Sequence, residues 1–188
     1  VYLFDALRPT PELSFAIREL GCHSGVMVTA SHNPKEYNGY KAYWTDGSQV
    51  TSPHDVNIIE EVLKVTETSQ VLTGKNPENI HTLGEEFDKV YLAAIKELSL
   101  SPEAVAKHND MKIVYTPLHG AGVKLVPQSL RNHGFNNIIC VDEQMVLDGN
   151  FPTVASPNPE ERKTMAMAME RAEKEGADFA MATDPDAD

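Results

Sequence analysis

Short apolar runs alternate with helical segments along this chain, and most of the helices are announced by a small polar residue followed by proline. Val1-Tyr2-Leu3-Phe4-Asp5 reads as a strand already under way, as if the chain began inside a larger protein. Thr10-Pro11-Glu12 opens a helix that Gly21 closes, with Thr10 as the N-cap and proline at the first helical position. Residues 25–29 form an apolar strand, and residues 39–44 a second one ended by Asp46-Gly47. Ser52-Pro53-His54-Asp55 repeats the cap signal, and Val56, Ile59 and Leu63 then supply one apolar helical face. Residues 66–83 are polar and rich in turn formers, which predicts a surface loop.

Phe87, Val90, Tyr91, Ala94, Ile95 and Leu98 follow at helical spacing and predict a helix joining two lobes; Ser101-Pro102-Glu103 caps a shorter one. A second unit begins at Lys112. Its expected order is a strand at 113–115, the tight loop His119-Gly120-Ala121-Gly122, a helix over 123–132 and a strand over 137–141. Pro127 belongs in that helix's first turn or kinks it. Asn158-Pro159-Glu160-Glu161 caps a long helix stopping at Gly176, and residues 177–183 form a last strand. Strands alternating with capped helices predict an α/β fold with mixed sheets flanked by helices.

Charge narrows the function. The formal net charge is -12, which excludes non-specific nucleic-acid binding, since that needs Lys and Arg to neutralise phosphates. A local pocket can still attract an anionic small molecule. No apolar run approaches the roughly 20 residues that span a bilayer, so no membrane partner is expected. Cys22 and Cys140 form no metal-ligand spacing and read as reduced thiols of a cytoplasmic protein.

Three segments carry chemistry. In Thr29-Ala30-Ser31-His32-Asn33-Pro34 the serine directly follows an apolar strand, and Pro34 keeps the loop extended. Such a loop presents a hydroxyl and backbone N–H groups suited to a phosphate ester, although a serine must be activated or pre-loaded to act. Asp184, Asp186 and Asp188 alternate with Pro185 and Ala187 after a strand. Three close carboxylates repel one another unless a cation collects them, and oxygen ligands select Mg²⁺ or Ca²⁺. A solvated acidic loop or a non-catalytic Ca²⁺-binding module remains an alternative. The glycine loop, with Asp142 roughly 20 residues on, partly matches a dinucleotide-binding oxidoreductase. Leu125 stands where that fingerprint needs its third glycine.

Together these motifs resemble the α-D-phosphohexomutase family, which includes phosphoglucomutase and phosphomannomutase. Residues 29–34 are similar to its phosphoserine loop, and Tyr37-Asn38-Gly39-Tyr40-Lys41 to the continuation. Thr116-Pro117-Leu118-His119-Gly120-Ala121-Gly122, then Phe151-Pro152 with Pro157-Asn158-Pro159-Glu160, are similar to second-domain motifs. Asp184-Pro185-Asp186-Ala187-Asp188 resembles its metal loop.

The resemblance implies two partial α/β lobes of a four-domain enzyme. Residues 1–83 would be the later part of the phosphoserine domain, 84–110 connecting helices, and 111–188 the early part of domain 2. It implies that phospho-Ser31 gives its phosphoryl group to glucose 1-phosphate and regains one from the hexose 1,6-bisphosphate, yielding glucose 6-phosphate. Mg²⁺ would be held by a phosphoserine oxygen and by Asp184, Asp186 and Asp188. Lys41 would be the general acid/base, its pKa lowered if Tyr40, Tyr43 and Trp44 desolvate it. His32 would contact the phosphate or shape the loop, and His119 would stabilise a turn. Phosphoglucomutase is expected over phosphomannomutase or phosphopentomutase. The family's first strand, the arginine after the third aspartate, and its third and fourth domains lie outside these residues, so the chain alone is expected to show no turnover.

Overall fold

The computed structural model describes residues 1–188 except Asn38, Thr73 and Lys75. The family match at Asn38, and the loop expectation at residues 73 and 75, therefore lie outside the described residues. Three small sheets and six α-helices organise the described chain.

The first lobe begins with β1 (Tyr2–Phe4), α1 (Thr10–Glu19), β2 (Gly25–Val28), β3 (Tyr40–Tyr43) and α2 (His54–Val62). β2 and β3 pair antiparallel, with Val26 opposite Ala42. The expected loop over 66–83 is corrected in part. It contains two 3-10 turns, Thr68–Gln70 and Pro77–Asn79, and then β4 (His81–Leu83), which pairs parallel with β1. A strand this short shows no alternation, and only its partner far upstream makes it one. An apolar cavity of about 940 Å³ separates β1 from β2, lined by Leu3, Leu13, Ile17, Val26 and Val28.

Two cap expectations are also corrected. Pro9, not Thr10, occupies the N-cap of α1; the Thr10 hydroxyl is buried without a partner, while its N–H leaves the helix to bond the Asp186 carbonyl at 2.8 Å. At α2 Pro53 takes the cap position. The expected apolar face is there, but Val56, Ile59 and Leu63 are all exposed.

Two helices follow, α3 (Glu85–Glu97) and α4 (Pro102–Lys107). α3 packs on α1 through Phe87 and Tyr91, whose rings lie 5.9 and 5.4 Å from Phe15. The second lobe is β5 (Lys112–Thr116), α5 (Gly122–His133), β6 (Asn137–Cys140), α6 (Ala166–Glu175) and β7 (Phe179–Ala182). Its sheet is fully parallel in the order β6-β5-β7. The central strand is buried on both faces, so Ile113, Val114 and Tyr115 run without polar alternation. Val114, Val141 and Ala168 form the core beneath α6, and Leu125 of α5 is buried as well. Each such aliphatic side chain contributes roughly 1.5–3 kcal/mol relative to exposure. Pro127 sits inside α5, beyond its first turn.

The helix expected from residue 159 starts only at Ala166. Asn158 Oδ1 accepts the Glu160 N–H at 3.0 Å, which makes a tight turn of what looked like a cap. Thr164 then donates its hydroxyl to the Ser156 carbonyl at 2.9 Å, holding the segment as turns.

Candidate active site

Because β6 and β7 flank β5 on opposite sides, the chain switches direction across the sheet at β5, and the carboxyl ends of β5 and β7 meet at that switch. In open α/β sheets such a switch point is where ligands bind. The aspartate run follows β7, and the loop 117–121 follows β5. They pack together. Ala121 N–H bonds the Pro185 carbonyl at 2.7 Å, and a side chain at Gly120 would collide with the Pro185 backbone. This corrects the dinucleotide reading: Pro185 fills the space that a pyrophosphate would need. His119 serves the turn, its ring nitrogens lying 2.9 Å from the Val146 carbonyl and 2.8 Å from the Thr153 hydroxyl.

The serine loop reaches this point from the other lobe. Ser31 adopts φ +53°, a left-handed conformation unusual for a residue with a side chain. Thr29 supports it by accepting the Ser31 N–H on Oγ1 at 2.9 Å. Thr29 was not singled out from sequence, although a hydroxyl two residues before a turn is a recognisable signal. Gly39 is required: its carbonyl accepts the Thr29 N–H at 3.1 Å, and a Cβ there would collide with Thr29.

Residues far apart in sequence meet here. Ser31 Oγ donates to Asp184 Oδ2 at 2.8 Å, and Lys41 Nζ lies 2.8 Å from Asp186 Oδ2 and 3.1 Å from Asp188 Oδ2. His32 is half exposed, with Nδ1 3.8 Å from Asp184 Oδ2, outside hydrogen-bond range. Asp184, Asp186 and Asp188 each offer an oxygen within 4.8 Å of the others.

The electrostatics suit a cation. Burial pushes the Asp184 carboxyl up to about 6; the Ser31 hydrogen bond opposes this, and the charges of Asp186 and Asp188 add to it. Asp186 Oδ1 is buried with no hydrogen-bond partner, which costs free energy unless something positive approaches it. All-oxygen donors match a hard cation such as Mg²⁺. The expectation of a lowered Lys41 pKa is corrected. Burial alone would lower it, but the bonds to Asp186 and Asp188 outweigh burial and raise it. Of its aromatic neighbours only Tyr43 is buried; Tyr40 and Trp44 are exposed.

Comparison with known proteins gives the kinship. The family model described as phosphoglucomutase/phosphomannomutase, alpha/beta/alpha domain II, matches residues 89–188, and that of domain I matches residues 1–69. The chain belongs to the phosphoglucomutase/phosphomannomutase family. It is 38% identical over 189 residues to a phosphoglucomutase of Staphylococcus haemolyticus, covering 100% of this chain and 34% of that protein. A Staphylococcus aureus phosphoglucomutase is 38% identical over 191 residues at the same coverage. A solved structure of a phosphomannomutase-type protein from Thermus thermophilus superimposes with a TM-score of 0.80 at 27% identity, covering 100% of this chain and 40% of that one. Parafusin from Paramecium shares the fold, with a TM-score of 0.70 at 19% identity over 100% of this chain and 39% of its own. The chain thus spans about a third of the length of the phosphoglucomutases it matches. Among the described residues no helix is long and apolar enough to cross a membrane.

Proposed function

We propose that the polypeptide carrying this chain is a phosphohexomutase that interconverts glucose 1-phosphate and glucose 6-phosphate through phospho-Ser31 and glucose 1,6-bisphosphate. The observation that carries this reading is the 2.8 Å bond from the Ser31 hydroxyl to Asp184, which places the candidate nucleophile against the candidate metal ligands. Residues 1–83 would supply the nucleophile, 84–110 the connection and 111–188 the metal ligands. The 38% identity to phosphoglucomutases favours glucose over mannose or a pentose.

Asp184, Asp186 and Asp188 would hold Mg²⁺ together with an oxygen of phospho-Ser31. When bound, the metal neutralises charge on the transferring phosphoryl group. The first transfer breaks the bond between Ser31 Oγ and phosphorus and forms one from a sugar oxygen to phosphorus; the second runs in reverse at the other sugar oxygen and restores the Ser31 ester. In the first, one proton moves from the sugar hydroxyl to Ser31 Oγ. Lys41, kept protonated by its two aspartates, is suited to deliver that proton. His32 would contact the phosphate or shape the loop. The free thiols Cys22 and Cys140 fit a cytoplasmic setting.

Intact-mass analysis of the full-length polypeptide after incubation with glucose 1,6-bisphosphate tests the reading. One added phosphoryl group mapping to Ser31 is expected. An unmodified Ser31 ends the proposal, and faster turnover of mannose 1-phosphate than glucose 1-phosphate replaces the sugar assignment.

A further inference from the structure

Contacts from both lobes converge on a residue away from the reacting groups, Asp88 on α3. Arg8 Nε donates to Asp88 Oδ1 at 2.6 Å, and Lys124 Nζ, on α5, donates to Asp88 Oδ2 at 3.1 Å. The Arg8 and Asp88 side chains are almost fully buried. Burial pushes the Asp88 carboxyl up, but the bonds from Arg8 and Lys124 outweigh it and hold it below the usual carboxylate range. Arg8 is steadied further by Asp5 at 3.0 Å, and Lys124 by Glu85 at 2.9 Å.

Each partner of Asp88 lies beside a backbone amide that grips the aspartate loop. Arg8 is followed by Pro9, with φ held at −55°, and then by Thr10, whose N–H bonds the Asp186 carbonyl at 2.8 Å. Lys124 lies in the first turn of α5, three residues after its N-cap Ala121, whose N–H bonds the Pro185 carbonyl at 2.7 Å. One carboxylate therefore holds both segments that hold Pro185 and Asp186. Nothing else in the first lobe's described backbone donates to that loop's backbone.

We propose that Asp88 is a positioning residue for phosphoryl transfer: by clasping Arg8 and Lys124 it fixes the Thr10 and Ala121 amides, and through them sets Asp184 against Ser31. The catalytic part of this inference rests on the mutase reading; the mechanical part does not.

The test compares Asp88→Asn with wild type in the full-length polypeptide, by hydrogen exchange and by steady-state kinetics. Thr10 and Ala121 amides are expected to exchange at least about tenfold faster in the variant. Its kcat is expected to fall about 10- to 100-fold, as a misplaced reacting group demands, with KM for glucose 1-phosphate nearly unchanged. Asp88→Glu should recover part of both effects. Leu92→Ala, a buried apolar change on the same helix that removes no polar bond to Arg8 or Lys124, should lower thermal stability and leave kcat as in wild type. If Asp88→Asn does not fold, Arg8→Lys decides instead, since it keeps the charge and loses the directed Nε donor. The clasp is overturned if both amides exchange at the wild-type rate, or if the kinetics follow those of Leu92→Ala. A wild-type protein never phosphorylated on Ser31 removes the mutase reading, and the exchange measurement still decides the clasp.

Discussion

The aspartate-bearing lobe is organised around one parallel sheet, whereas the serine-bearing lobe divides its strands between two sheets that share none. In the former, Val114, Tyr115, Thr116 and Leu118 are fully buried. In the latter, Leu3 is 59% and Val28 76% exposed, beside the apolar cavity between β1 and β2. The three aspartates thus ride on a packed scaffold that resists their mutual repulsion. Ser31 rides on a loop held by a few local hydrogen bonds, which leaves it free to adjust. Urea unfolding of the 188-residue chain sharpens this contrast. Leu118→Ala should cost roughly 2–5 kcal/mol, as for a buried aliphatic cut to alanine. Leu3→Ala should stay within about 0.5 kcal/mol. Equal losses at the two positions would mean that the lobes are equally packed and break the comparison.

Where the lobes touch, the contrast becomes electrostatic. Glu12 of α1 is completely buried, its carboxylate oxygens have no hydrogen-bond partner among the described residues, and Arg8 Nε is 3.9 Å away. Burial is the main cause that pushes its carboxyl from 4.5 up to about 8; Asp88 adds to the shift, and Arg8 and Lys124 oppose it. The folded state then binds a proton that the unfolded chain has already released. Stability therefore falls as pH rises from the ordinary carboxyl range toward 8. Glu12→Gln removes the titration. Relative to wild type it should gain about 3.5 kcal/mol between pH 5 and pH 8 in urea unfolding, each pKa unit being worth about 1.4 kcal/mol. A stability difference that does not change with pH would show that Glu12 is ionised in the folded protein at all these values.

The sequence legibly carried the elements whose signals are local. The helices led by Pro11, Pro53 and Pro102, the strands expected at 25–29, 113–115 and 177–183 and found within a residue or two of those bounds, and the positions of the serine and aspartate loops could be read from neighbours in the chain. The Pro159 signal was a turn instead. What escaped depends on partners far away. β4 is a strand only because β1 accepts it in parallel. Arg8, Glu12 and Asp88 look like ordinary charges at helix starts until α1 and α3 pack and bury them. Thr10 looked like a cap because its side chain is of the right type; the aspartate loop, not the helix, claims its N–H. The Lys41 shift was read in the wrong direction because its aromatic neighbours are close in sequence, while the aspartates that govern it are not.

Lys41 offers a test of how the two lobes divide charge. Its ammonium is the first lobe's cation among the second lobe's carboxylates, so it competes with a metal for Asp186 and Asp188. Lys41→Met should tighten Mg²⁺ binding, by about tenfold if roughly 1.4 kcal/mol of repulsion and competition disappears. Calorimetric titration of the unphosphorylated full-length polypeptide measures it. Unchanged or weaker binding would mean that Lys41 does not share the ligands' charge.

The smallest expected effect concerns strain, which both loops carry. Ser31 has φ +53° and Ala187, between two of the aspartates, has φ +56°. A left-handed residue with a Cβ costs roughly 1–2 kcal/mol, and glycine avoids that cost. Glycine also gives the unfolded chain more freedom, which takes back about 0.4–1 kcal/mol. Ala187→Gly should therefore stabilise the chain by about 0.5 kcal/mol in urea unfolding, a gain confined to the aspartate loop. The same arithmetic applies to Ser31, but under the proposed function its hydroxyl would have to stay, so the strain there would be kept with it. Destabilisation by Ala187→Gly would show that the aspartate loop is held rigid by its surroundings so well that the alanine is not strained, and the parallel between the two loops would fail.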